Sequence, residues 1–70
     1  MRIDAGELEQ VAGYRYGFMI ADMVLGDTLN EYAEGEAQAD EVEVALRQHR
    51  LAYEGYVKRL HACLDTVPQA

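Results

Sequence analysis

His49, His61 and Cys63 are the side chains of this 70-residue chain best suited to a soft metal ion. A structural zinc site needs four converging nitrogen or sulfur ligands, and these three are too few and wrongly spaced. Neither histidine has a glutamate three residues before it, so the Glu-x-x-His pairs of di-iron bundles are absent. The residue types therefore predict no metal and no cofactor. His49 is expected at the rim of a helix seam, and Cys63 is expected to pack as a small apolar group. Nucleophilic chemistry is equally poorly equipped. There is no serine, and Thr28 and Thr66 are the only hydroxyls besides the five tyrosines. Thirteen carboxylates are present, but nothing gathers a pair of them for general acid and base work. The chain reads as a non-enzyme.

What the carboxylates do make is a charge map. Between Tyr16 and Leu46 stand eight acids and no base: Asp22, Asp27, Glu31, Glu34, Glu36, Asp40, Glu41 and Glu43. Four of the six bases, Arg47, Arg50, Lys58 and Arg59, follow later. The formal net charge is −7, which opposes direct binding to nucleic acid or to an anionic membrane and suits a basic protein surface. Asp22 interrupts an apolar run. Either it faces solvent, or it pairs with Arg15 across a dimer axis or with Arg50 or Arg59 of a neighbouring helix, since a buried carboxylate needs a partner. Tyrosine favours interfaces because it buries a rigid ring behind a polar tip. Tyr53 and Tyr56 are expected in the core, and Tyr14 and Tyr32 on an exposed patch.

Two helices must position these groups. Asp4 and Glu7 have capping-box spacing, and Ile3 and Leu8 flank them as a hydrophobic staple does. Leu8, Val11, Phe18, Leu25, Leu29 and Tyr32 recur at helical spacing, and Gly35 is a natural stop. The first helix is placed at about 5–33 and the turn at about 34–40. Asp40 and Glu43 repeat the capping spacing and open a second helix at about 41–66. Its seam runs Val42, Leu46, His49, Tyr53, Tyr56, Leu60, Cys63 and Val67, in alternating steps of four and three. Glu43–Arg47, Arg50–Glu54 and Glu54–Lys58 are spaced as intrahelical ion pairs. Pro68, the only proline, follows the end. The fold class is all-α, an antiparallel two-helix hairpin in a single domain.

A hairpin this small buries little surface and needs a staple or a partner. One cysteine excludes an intrachain disulfide and fits a reducing, cytoplasmic setting. The N-terminus does not read as a signal peptide, and Phe18 to Leu25 is too short to span a bilayer. Eight of the ten residues from Tyr16 to Leu25 are apolar and point all round the helix, as in a helix that is surrounded. The expected solution is a homodimer forming a four-helix-bundle-like assembly. Gly13, Gly17 and Ala21 form a row of small residues, and with Tyr16, Ile20 and Val24 they make the expected dimer interface.

In length, acidic balance and helix layout the whole chain resembles the small anti-quorum-sensing (anti-activator) proteins of Mu-like Pseudomonas phages. The resemblance rests on no motif and carries over no functional residue. It implies a phage protein active in the bacterial host cytoplasm. Such a protein binds a LuxR-type quorum-sensing activator (LasR), blocks its DNA binding, and also inhibits the type IV pilus assembly ATPase. The acidic turn is compatible with that reading, which makes Tyr14, Tyr32, Glu36, Asp40, Glu41 and Glu43 the candidate partner-binding residues. Two other classes fit the residues: an acidic DNA mimic that inhibits a nuclease or CRISPR complex, and a helical chaperone or dimerisation module.

Overall fold

The computed structural model of the protein describes residues 5–65. Helix α1 spans Ala5–Ala33 and helix α2 spans Ala39–Asp65, and the two pack side by side as an antiparallel hairpin with no strand among the described residues. The Asp4 cap with its Ile3 staple, and Val67 and Pro68, lie outside the described residues. The long helices follow from a sequence without internal proline and rich in alanine, leucine and glutamate.

The turn is closed by two interlocking devices. Gly35, with φ +80°, takes the left-handed conformation that only glycine adopts cheaply. Its N–H donates to the Tyr32 carbonyl at 3.1 Å, and the Glu36 N–H donates to the Glu31 carbonyl at 2.8 Å. That pair of bonds is a Schellman motif, and it satisfies carbonyls that the end of α1 leaves open. Ala37 follows, buried. The start of α2 differs from the sequence expectation. Gln38, not Asp40, occupies the cap: its N–H donates to a Glu41 carboxylate oxygen at 2.6 Å, and its carbonyl accepts from the Glu41 N–H at 3.1 Å. The reach-back half of a capping box thus joins Glu41 to Gln38, and α2 begins at Ala39. The high helix propensity of Ala37 to Ala39 lets the helix start as soon as Gly35 has turned the chain.

The seam between the helices also differs from expectation. Val42, His49, Tyr56 and Cys63 face α1 as predicted. The positions between them belong to Ala45, Ala52 and Arg59, whereas Leu46 is 47% exposed, Tyr53 is 50% exposed and Leu60 stands half-buried at the edge. Both stripes alternate three and four, so periodicity alone does not separate them. On α1 the half-buried Val11, Phe18 and Leu25 share the face that meets α2. The intrahelical pairs expected on α2 do not close within ion-pair distance among the described residues.

Little is fully covered. Among the described residues only Ala37, Ala45 and Cys63 are buried, and α1 has no buried residue at all. The molecule measures 54 × 15 × 15 Å, with a radius of gyration of 16.0 Å, against about 11 Å for a compact chain of this length. Its accessible surface is 5637 Å², whereas a compact monomer of equal mass exposes about 4,400 Å².

Candidate interaction surfaces

The best-organised part of the hairpin is its middle. Phe18 projects from α1 into a nest of α2 rings, with centroids 5.0 Å from His49, 5.4 Å from Tyr53 and 6.1 Å from Tyr56. The first two contacts are tilted and the third stacked, arrangements that aromatic quadrupoles favour. One turn along α1, Asp22 Oδ1 lies 3.0 Å from His49 Nε2. An ionised carboxylate only accepts, so Nε2 carries the proton and donates. The partner of Asp22 within the hairpin is therefore His49, and not Arg50 or Arg59 as the sequence suggests. The clue was that Asp22 and His49 lie nearly equidistant from Gly35 along the chain, so an antiparallel hairpin sets them opposite. Asp22 nevertheless keeps 66% of its side-chain surface exposed, which leaves its second oxygen open to another group.

Among the described residues no three His, Cys, Asp or Glu side chains converge. Cys63 is buried in the seam and half-buried His49 serves the ring cluster. The concave places are shallow apolar grooves. One, of about 380 Å³, runs along one side of the helix pair between Gly13, Gly17 and Tyr14 on α1 and Leu51, Ala52 and Gly55 on α2. Another, of about 420 Å³, lies on the opposite side and includes Leu8, Ala12, Arg15, Met19 and Tyr56, and a third, of about 510 Å³, lies along α2 between Tyr53 and Ala62.

The expected dimer interface lies partly on the first groove. Gly13, Tyr16, Gly17, Ile20 and Val24 are exposed, and a Cβ added at Gly13 or Gly17 would meet nothing within 4 Å. Ala21 does not belong with them: it is half-buried in the seam toward α2. A row stepping by four residues precesses by about 40° per step, so its third member rotates off the glycine face. Of the expected partner-binding residues, Tyr32, Glu36, Asp40, Glu41 and Glu43 are all exposed around the turn, and Glu41 also holds the cap of α2. Tyr14 stands far from them, near the open end, with its ring 3.5 Å from where a Gly55 Cβ would lie. It belongs to the groove and not to the acidic tip. Tyr53, expected in the core, lies at its edge.

Fourteen large apolar side chains of the described residues are exposed, on both helices. Monomeric soluble proteins rarely leave so much contiguous apolar surface open unless it binds something. No helix among the described residues is long and apolar enough to cross a membrane. No family model, curated protein or solved structure matches the chain.

Proposed function

We propose that the protein acts by binding other proteins and not by catalysis. Two copies assemble into a four-helix bundle that displays acidic turns to a basic surface of a partner. The carrying observation is the bare apolar flank on each side of a hairpin that has almost no core of its own. The turn supports the second half of the reading. Its carboxylates Glu34, Glu36, Asp40 and Glu43 project from a backbone fixed by the Schellman motif and the capping box, so their charge meets a partner without a prior ordering cost.

The partner class comes from the resemblance to phage anti-activators: the basic DNA-binding surface of a LuxR-type activator, with the pilus assembly ATPase as a second target. The direct test is a promoter gel shift with the activator, with and without this protein. The reading expects loss of the shifted band, and recovery of the band when Glu36, Asp40 and Glu43 are replaced by glutamine. An activator that binds its promoter unchanged at saturating protein overturns it. The groove beside Gly13 and Gly17 favours one second reading, a helical chaperone. In that case an amphipathic partner segment would protect Leu51 and Gly17 from solvent, and the glutamine substitutions would leave binding intact.

A further inference from the structure

Helix α1 carries a second three-four stripe, on the side away from the glycine row, and every residue of it is exposed in the hairpin. The stripe is self-complementary. At its centre is Met19, 51% exposed. Outward from Met19, Arg15 on one side answers Asp22 on the other, Ala12 answers Gly26, and Leu8 answers Leu29. Ala5 and Ala33 close the pattern. Read backwards, the stripe repeats its own classes: small, leucine, small, charge, methionine, opposite charge, small, leucine, small.

We infer that this stripe is the homodimer contact: α1 packs antiparallel on α1 of a second copy, with a two-fold axis at Met19 and reciprocal Arg15–Asp22 ion pairs. The inference rests on the homodimer reading above and specifies its face and direction. A two-fold axis demands that each residue meet its counterpart's partner, and an antiparallel register centred near Met19 brings each of these pairs to within one residue of direct opposition. The small residues at Ala12 and Gly26 permit close approach of the two helices. Asp22 is already oriented by His49 at 3.0 Å, with most of its surface open. Among the described residues Arg15 forms no ion pair within the hairpin. The same register sets Leu46 of α2 against Val57 of the second copy, and Arg50 against Tyr53, a cation over a ring.

Two further observations favour a second copy in this orientation. The hairpin exposes roughly 1,200 Å² more than a compact chain of its mass, and a standard interface covers about 800 Å² on each partner. The hairpin is also electrically lopsided. Its turn half, residues 22–50, carries eight carboxylates and two arginines, and its open half, residues 5–21 and 51–65, carries four carboxylates and three bases. Antiparallel copies place the acidic turns at opposite ends of the bundle, whereas parallel copies would crowd them together.

The test is sedimentation equilibrium and native mass spectrometry on the full chain, with helicity followed by circular dichroism. Arg15→Glu and Asp22→Arg each set like charges against each other twice, and each is expected to weaken the dimer at least tenfold. Mixed in equal amounts, the two variants regain complementary pairs and should form a one-to-one heterodimer. Met19→Lys leaves the Asp22–His49 bond in place and puts two ammonium groups on the axis, and it should be monomeric while still helical. Gly17→Leu, on the other side of α1, should remain a dimer. A wild-type dimer that survives Arg15→Glu and Met19→Lys, or that Gly17→Leu dissociates, overturns the stripe and leaves the homodimer standing. A wild-type chain that is monomeric at several hundred micromolar overturns the homodimer itself.

Discussion

Phe18 and Met19 are neighbours in the chain and belong to two stripes of α1 with the same three-four spacing. One stripe meets α2 and places Phe18 among three rings. The other is bare, with Met19 half in solvent. The difference teaches that apolar periodicity marks a face to be covered without saying what covers it. The covered stripe is held by ring contacts from Phe18 to His49, Tyr53 and Tyr56 of α2. The bare stripe repeats its residue classes about its own middle, the pattern on which the proposed contact with a second copy rests. The sharpest way to break this comparison is to cut each neighbour to alanine. Phe18→Ala removes the hub of the ring cluster and should destabilise the hairpin by about 2–3 kcal/mol, less than for a fully buried phenylalanine because the site is half open. Met19→Ala should leave the helicity of dilute protein unchanged and instead reduce the dependence of the melting temperature on protein concentration. Thermal melts at two concentrations distinguish the two outcomes.

Smaller effects sharpen the contrast between the tightly specified turn and the permissive flanks. Gly35→Ala forces a side chain into the left-handed region and should cost about 1–2 kcal/mol in denaturant melts. Gly13→Ala is expected to act in the opposite direction. A Cβ there meets nothing, so the gain in helix propensity, up to about 1 kcal/mol, should appear as a higher melting temperature. An unchanged or lower value would show that the glycine face is occupied. Asp22→Asn keeps the shape and removes the charge opposite His49. With Asp22 largely in water, its effect on the hairpin should be about 0.5 kcal/mol, read by chemical denaturation below the dimer concentration range.

The hairpin was legible in the sequence because its punctuation is local. Gly35 ends α1 as its chemistry requires, and the acidic turn is where the residues put it. The start of α2 moved from Asp40 to Gln38 because two capping boxes of the same spacing overlap, and hydrogen bonding favoured the one next to the turn. The seam of α2 was misread at Leu46 and Tyr53 because large apolar residues were placed inward. Ala45 and Ala52 are the more covered positions and Tyr53 touches Phe18 from the edge, and which of two three-four stripes is covered depends on a neighbouring surface no single-helix pattern contains. The same limit hid the partner of Asp22. Of the expected interface, Gly13, Tyr16, Gly17, Ile20 and Val24 are exposed. Ala21 is turned away by a precession that a four-residue row cannot avoid.

The doubly fastened turn has a kinetic consequence. Contacts farther from it close longer loops, from Asp22–His49, 27 residues apart, out to Tyr14 on Gly55. Each doubling of loop length costs only about 0.6 kcal/mol when the inner contacts are absent, and less once they have formed. The hairpin is thus built to zip from the Gly35 end and to fray from the other. Amide exchange in α2 should quicken steadily from Ala45 toward Cys63.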